Sequence, residues 1–439
     1  MQHSSSFLVA VALSGGADSL FTLVRLHRAG VPVLGIHGRF AQHLGLGLQC
    51  AGADPLAVEA GLAAACQRLG VPFFVADCAE AFMQQVVTPF VQAYARGNTP
   101  NPCAHCNATI KFGAFLQEAQ KHGATHLATG HYVRLVPAAG GQAHALEGEG
   151  AEPSAVEQGV SLIYEGDALV AALRHAPAIP LADAFGAPAT MLERNAFPLP
   201  LLLQGADIRK DQSYFLSLVP GAALAHALFP LGKAHKSVVL QELEALGFTP
   251  PQGKESQEVC FVPGDDYRAF VPPVAEQLGI PLGQPGPVLL PDGTRLGTHQ
   301  GLWQYTEGQR KGLGVCWKEP LYVLDKKRDE NILLLGPRGA EGIHGCVCHE
   351  VNEAVPRHLW PQTLLAKTRY REAPKPCRAE IVETATGPEL HIHFLEPEDN
   401  VAPGQVAALY APLHGHVEED GRPVLCVVAG GVIVRAVKR

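Results

Sequence analysis

Apolar and polar residues follow two rhythms along this chain. In the N-terminal third, short apolar runs (Phe7–Leu13, Val31–His37, Val71–Ala76, His126–Thr129) alternate with segments of helical spacing (Asp18–Ala29, Val58–Leu69, Gln84–Arg96, Ile110–His122). That alternation predicts a parallel, doubly wound α/β sheet with helices on both faces and ligand sites at the carboxyl ends of its strands. From Pro137 to Pro200 the pattern dissolves into Ala, Gly, Pro and Glu, which predicts an insertion. Helices are expected at Asp211–Leu218 and Val238–Leu246, within a small mixed unit that reaches about Gly279. Beyond it, short apolar runs recur between Gly and Pro turns: Pro287–Leu290, Leu321–Asp325, Ile332–Leu335, Leu364–Tyr370, Glu389–Phe394, Val406–Tyr410 and Val424–Val434. Regular short strands of this kind predict a C-terminal β-barrel. The expected divisions are 1–218, 219–295 and 296–439, with the insertion at 137–206.

Composition narrows the class. The chain has 439 residues, 47% hydrophobic, enough for two or three domains with separate cores. No apolar run approaches the roughly 18 to 20 residues that span a bilayer, so no membrane association is expected. Phe7–Leu13 follows no basic residue and reads as a buried strand, not a signal peptide. Eleven cysteines, an odd number scattered over a long chain, suit thiols or metal ligands in a reducing cytoplasm better than a disulfide framework. The formal charge of −8 argues against a globally basic nucleic-acid binder. Its distribution changes that reading, because residues 137–206 hold eight acidic and two basic side chains, leaving 32 basic against 34 acidic elsewhere.

The first chemical signal is Ser14-Gly15-Gly16-Ala17-Asp18-Ser19, which follows a buried strand and opens a helix. Successive backbone N–H groups, a helix N-terminus and two serine hydroxyls make a pyrophosphate cradle. The loop lacks the lysine of a Walker A motif and the spacing of a dinucleotide fingerprint. Asp18 is a candidate ligand for Mg²⁺ or an early-turn helix carboxylate.

The second is Asn101-Pro102-Cys103-Ala104-His105-Cys106-Asn107, read as a loop just before a helix starting near Ile110. A thiolate at a helix N-terminus is expected to have its pKa lowered toward neutrality. Such a cysteine can attack or carry a persulfide, or bind metal. Cys260, in Glu258-Val259-Cys260-Phe261, is a third candidate. Cys346-x-Cys348 has the wrong spacing to complete a zinc knuckle.

Together the strings SGGADS, TPNPCAHCN, IKFGAF, ATGHY, KDQSYFL, LFPLGK, ESQEVCFVPGDDY, GTHQGLWQYTEGQRKGLG, PLYVLDK, TRYR and APGQVAALY resemble the bacterial tRNA 2-thiouridylases over nearly the whole chain apart from the acidic insertion. The resemblance implies a Rossmann-like ATP-pyrophosphatase (PP-loop) domain, a small central domain and a C-terminal β-barrel. It implies ATP-dependent thiolation of the wobble uridine of tRNA, with Mg²⁺, in the cytoplasm, and with sulfur from a donor such as a cysteine desulfurase or a sulfur carrier. By position, Cys106 matches the nucleophilic cysteine and Cys260 the persulfide carrier. Ala12, Leu13, Ser14, Gly15, Gly16, Ala17, Asp18 and Ser19 match the ATP loop, with Gly38 on the adenine side and Gly130 as a further nucleotide contact. Asn101, Pro102 and Cys103 match the segment that meets the target base. His131, Lys210, Asp211, Gln212, Arg369, Tyr370 and Gln405 match tRNA contacts.

This sequence departs from the commonest family pattern at Cys103, where many members carry Asp. Cys103, Cys106 and Cys260 could then ligate three irons of a [4Fe-4S] cluster, leaving the fourth open to sulfide. That ligand count favours the cluster over the persulfide route. Two basic groups, Arg310, Lys311, Lys318, Lys326, Lys327 and Arg328, and Lys367, Arg369, Arg371, Lys375 and Arg378, are candidate RNA-facing patches. Two other readings stay open: a PP-loop adenylating ligase or amidotransferase acting on a small molecule, and a non-catalytic iron-sulfur RNA-binding protein.

Overall fold

The computed structural model describes residues 7–40, 54–136, 185, 199–252, 259–339 and 342–438. Most of the 137–206 insertion therefore lies outside the described residues. The N-terminal unit opens with β1 (Val9–Ala12), α1 (Ala17–Arg28), β2 (Val33–Arg39), α2 (Pro55–Leu69) and β3 (Phe73–Asp77). Helix α3 (Ala79–Phe82) passes through a π-helical turn at Met83–Val87 into α4 (Thr88–Ala95). A second composite helix comprises α5 (Pro102–His105), a π-helical stretch at Cys106–Phe115, and α6 (Leu116–Lys121). β4 (His126–Ala128) and the short β7 (Ala227–Leu228) complete a parallel sheet of order β3-β2-β1-β4-β7.

Alternate β1 residues serve the two faces of this sheet, as strand geometry requires. Val9, Val11 and Leu13 pack with Leu23 and Leu26 of α1 and Leu62 and Cys66 of α2. Ala10, with Leu34 and Ile36 of β2, packs with Phe112, Phe115 and Leu116 of the cysteine-bearing helix. The second cluster continues into Val406, Tyr410 and Val427 of the barrel, so one apolar core joins the first and last units.

β5 (Val133–Val136) and β6 (Leu201–Gln204) form an antiparallel pair flanking the insertion. β6 then pairs with β17 (Pro423–Lys438) through Cys426 and Leu203. Residues 201–204 are thus part of the framework, and the expected insertion is shorter at its C-terminal end. Short helices α7 (Ser213–Leu216) and α8 (Gly221–Leu224) lead to α9 (Lys236–Ala245) and, further on, α10 (Tyr267–Gln277).

The central sheet has the order β10-β11-β8-β9, from β8 (Gly286–Leu289), β9 (Arg295–His299), β10 (Tyr322–Lys327) and β11 (Ile332–Gly336). Its strands lie on both sides of residue 295, and β7 of the parallel sheet lies beyond residue 218. Neither expected division coincides with a break between sheets. In the C-terminal unit, β12 (Ile343–Glu353), β15 (Gly387–Glu398), β14 (Lys375–Thr384), β13 (Leu364–Lys367), β16 (Val406–Val417) and β17 pair in that order. β12 also pairs with β17, which closes the barrel and removes its edges. Its interior holds Leu390, Ile392, Leu409, Val428 and four buried cysteines, Cys346, Cys348, Cys377 and Cys426. No helix among the described residues is long and apolar enough to cross a membrane.

Candidate active site

The loop at the end of β1 is wired by its own hydroxyls. The Ser14 N–H donates to Ser19 Oγ (3.1 Å), Ser19 Oγ donates to the Gly16 carbonyl (3.0 Å), and the two serine oxygens are 3.2 Å apart. α1 begins at Ala17 without a side-chain cap, so its first turn can receive an anion. Asp18 is engaged: Lys236 Nζ reaches Oδ1 at 2.7 Å and Oδ2 at 2.6 Å, and the Tyr132 hydroxyl donates to Oδ1 at 2.7 Å. In this arrangement an ammonium holds the carboxylate that was the candidate Mg²⁺ ligand, and Mg²⁺ would take it by displacing Lys236. Lys236 was not singled out from the sequence, since nothing local ties the start of α9 to a loop 218 residues earlier.

Gly130 stands directly on this loop. A Cβ there would lie 2.9 Å from Asp18 C and Cβ and 3.0 Å from Ser19 N. His131, the next residue, is buried. It shares a 2.7 Å hydrogen bond with Thr129 Oγ1 through Nδ1, and Lys111 Nζ is 3.4 Å from its Nε2. Burial, and secondarily the Lys111 charge, hold its pKa well below the usual imidazole value, so it is neutral at physiological pH. Lys111 belongs to the cysteine-bearing helix and its field also acts on Cys106. The loop and the helix that carries Cys103 and Cys106 are therefore linked through Gly130, His131 and Lys111.

The cysteine segment differs from expectation. The helix starts at Pro102, not near Ile110, and Asn101 caps it by accepting from the Ala104 N–H (3.3 Å). Proline at the first helical position starts a helix because the N–H it lacks has no intrahelical partner there. Cys103 and Cys106 consequently lie within the first two turns. Burial outweighs any help from Lys111 and pushes the Cys106 thiol up to about 11, the reverse of the lowering expected from a helix terminus. Cys106 packs against the cluster that includes Val259, Phe261 and Ile110, and Cys260, between Val259 and Phe261, is exposed. Among the described residues no three His, Cys, Asp or Glu side chains are arranged to hold a metal ion. Cys103, Cys106 and Cys260 as arranged do not form the ligand set that a [4Fe-4S] cluster needs.

The residues matched to tRNA contacts divide by burial. Asp211, 1% exposed, accepts from the N–H groups of Gly205 (3.0 Å) and Ser213 (3.1 Å) and from Ser213 Oγ (2.9 Å), which makes it an internal strut of its turn. Gln212 Oε1 accepts from the Tyr132 N–H (3.0 Å), while Lys210 is half-buried. Asn101 and Pro102 are buried and Cys103 half-buried. Tyr370 packs on Phe215 with ring centroids 4.4 Å apart, and Arg369 donates to the Glu307 carbonyl (3.0 Å). Gln405 Nε2 donates to the carbonyls of Thr99 (2.9 Å) and Pro100 (3.3 Å), so it grips the segment entering the cysteine helix. Gly38, at the end of β2, has the Phe40 ring 2.4 Å from where a Cβ would sit.

The two basic patches contract in three dimensions. Lys326 is buried against Glu307, Arg328 pairs with the same carboxylate, Lys367 is buried, and Lys375 pairs with Glu398. Arg310, Lys311, Lys318, Lys327, Arg371 and Arg378 remain exposed, as does the paired Lys375.

The chain matches three family descriptions in succession: a tRNA methyl transferase HUP domain over residues 8–152 and 191–264, a tRNA methyl transferase PRC-barrel domain over 280–337, and an aminomethyltransferase β-barrel domain over 344–416. It is 42% identical over 426 residues to a tRNA-specific 2-thiouridylase of Nitratidesulfovibrio vulgaris (strain Miyazaki F), covering 97% of this chain and 99% of that one. It is 39% identical to the same enzyme of Oleidesulfovibrio alaskensis and 38% to that of Lawsonia intracellularis, each over 97% of this chain and 98% of the relative. With the nucleotide loop, the paired cysteines and the closed barrel in one continuous match, the chain belongs to the tRNA-specific 2-thiouridylase family.

Proposed function

We propose that this protein thiolates C2 of the wobble uridine of tRNA at the expense of ATP, in the cytoplasm. The observation that carries the reading is the link between the loop and the cysteine-bearing helix: Gly130 packs on Asp18, and His131, the next residue, meets Lys111 of the helix that carries Cys106. Loop 14–19 binds the triphosphate, and the uridine C2 oxygen attacks the α-phosphate, releasing pyrophosphate. This converts a poor leaving group into AMP. The terminal sulfur of a persulfide on Cys260 then attacks C2, the C–O bond breaks and AMP departs, leaving a C2–S–S–Cys260 linkage. The Cys106 thiolate attacks the Cys260 sulfur, forming a Cys106–Cys260 disulfide and leaving 2-thiouridine. An external dithiol, or the sulfur donor's own thiols, reduces that disulfide for the next turnover.

The persulfide route is favoured over the cluster route because the three thiols are not arranged as metal ligands and Cys260 is open to a donor protein. Anaerobic purification with iron and sulfide analysis, followed by thiolation assays, tests it. Iron-free protein should thiolate tRNA from a persulfide donor, Cys103→Ala should retain activity, and Cys106→Ala and Cys260→Ala should each lose it. Stoichiometric iron together with loss of activity in Cys103→Ala would refute this sulfur route. ATP cleavage to AMP without any RNA would instead favour a small-molecule ligase.

A further inference from the structure

Three units of the protein meet on one short strap, residues 97–101, that delivers the chain into the cysteine-bearing helix. On one side the barrel holds it by backbone. The Thr99 N–H donates to the Pro403 carbonyl (2.8 Å), the Asn101 N–H donates to the Gly404 carbonyl (3.2 Å), and Gln405 grips the Thr99 and Pro100 carbonyls. Gly404 has φ +94° and its Cβ position lies 2.9 Å from Thr99 C and O, so only glycine allows this approach.

On the other side stands an ionic cluster from the central unit. The Lys326 side chain is 0% exposed and that of Glu307 6%. Lys326 Nζ lies 3.3 Å from Glu307 Oε2, donates to the Tyr305 carbonyl at 2.8 Å, and reaches Thr99 Oγ1 at 3.4 Å. Arg328 donates both to Glu307 Oε1 (3.2 Å) and to the Gly97 carbonyl (3.2 Å). Thr99 and Thr306 are joined through their hydroxyls at 3.3 Å, and Arg369 of the barrel donates to the Glu307 carbonyl. Buried charges are costly unless paired, and here each cation that shares Glu307 also touches the strap.

We propose that Glu307, Lys326 and Arg328 are positioning residues that fix the 97–101 strap, and through it the placement of Cys103 and Cys106 in the first two turns of the helix the strap leads into. The inference rests on the thiolation reading for its kinetic consequence, but not for its structural one. The cluster sets where the thiols stand, so its loss slows the step that needs their alignment and leaves tRNA capture by the exposed basic residues in place. Cys106, half-buried and pinned at the end of a fixed strap, becomes more accessible when the strap loosens.

The test uses the full-length protein with Glu307→Gln, the paired Glu307→Leu/Lys326→Met, and Lys326→Arg as the conservative variant. The expected result is a fall of at least tenfold in kcat for tRNA thiolation per folded molecule, with KM for tRNA within about threefold, for both Glu307→Gln and the pair. Lys326→Arg should recover part of that loss. Cys106 alkylation by iodoacetamide at 25 °C should quicken at least fivefold in the same two variants. The paired variant removes both buried charges together, so it remains informative where the single change unfolds the protein. Normal kcat in a folded paired variant, or an unchanged Cys106 alkylation rate, overturns the proposal. If the wild type itself thiolates no tRNA, the functional reading fails, while the alkylation comparison still decides whether the cluster positions the thiols.

Discussion

Gly130→Ala places one methyl group where the nucleotide loop meets the strand β4 turn. The added Cβ falls 2.9 Å from Asp18 C and Cβ and 3.0 Å from Ser19 N. Carbon atoms rest at about 3.5 to 4.0 Å, so roughly 0.5 to 1 Å of relief is needed. It cannot come from a flexible side-chain end, because the nearest atoms belong to the first turn of α1 and to a carboxylate held by Lys236 and Tyr132. Overpacking of this kind costs about 1 to 3 kcal/mol. If the displacement falls on the loop, that range corresponds to an ATP affinity about 5- to 150-fold weaker, at 1.4 kcal/mol per tenfold. Equilibrium binding of a non-hydrolysable ATP analogue and the KM for ATP in thiolation both read it, and tRNA affinity should stay within about twofold. Gly283→Ala, whose Cβ meets nothing within 4 Å, is the matched control and should bind ATP like the wild type. Wild-type ATP affinity in folded Gly130→Ala would refute the assignment of this contact to the nucleotide site.

Other expectations follow from the same geometry. With Cys106 raised to about 11 from an ordinary 9.0, its thiolate fraction near neutral pH should be about 100-fold below that of an unperturbed thiol, so its alkylation should lag exposed Cys316 and keep climbing to about pH 11; equal rates at pH 8 would contradict the burial argument. His126 is lowered to about 4, mainly by burial and then by His226, so the native state disfavours its protonation. Its contribution to stability is present above the unfolded pKa of about 6.5 and is lost as pH falls toward 4. Urea unfolding at pH 7.5 and pH 5 should show that loss, and His126→Phe should flatten the profile. Replacing residues 140–198 by a short flexible linker, with β5 and β6 retained, should leave thiolation intact, whereas removal of Leu201–Gln204 as well should destabilise the barrel seam; equal behaviour of the two deletions would show that the β6–β17 pairing is dispensable. Raising salt from 50 to 200 mM should weaken tRNA binding through Arg310, Lys311, Lys318, Lys327, Arg371, Lys375 and Arg378, with a slope set by those exposed cations and not by the inward-turned Lys326, Arg328 and Lys367.

What could be read from the sequence depended on how local the signal was. The SGGADS loop is a strand, a turn and a helix start in consecutive residues, so its structure and its chemistry were legible together. The cysteine helix starts at Pro102 and not near Ile110 because a proline at the first helical position and a proline in a loop look alike in the string alone. β14 was missed because it interleaves apolar and charged residues, Cys377 beside Arg378 for example, and β12 because its buried stretch, Gly345-Cys346-Val347-Cys348, is too short and too poor in large apolar side chains to stand out as an apolar run. The direction of the Cys106 shift was misjudged because a helix terminus can be read from sequence, whereas the buried cluster around Val259 and Phe261 is assembled from residues about 150 positions away. The largest gap is ionic. Lys326 and Arg328 look like members of a surface run, and only tertiary packing against Glu307 and the 97–101 strap turns them inward.

The central claim is that one site activates uridine with ATP and replaces its oxygen with sulfur. Quantifying AMP and 2-thiouridine in the same reaction, with purified protein, unmodified tRNA, ATP, Mg²⁺ and a persulfide donor, tests it most directly. The account predicts one AMP per 2-thiouridine, AMP formation that requires tRNA, and loss of the thiolated product in Cys106→Ala. AMP formation at full rate without tRNA, or thiolation without ATP cleavage, would contradict it.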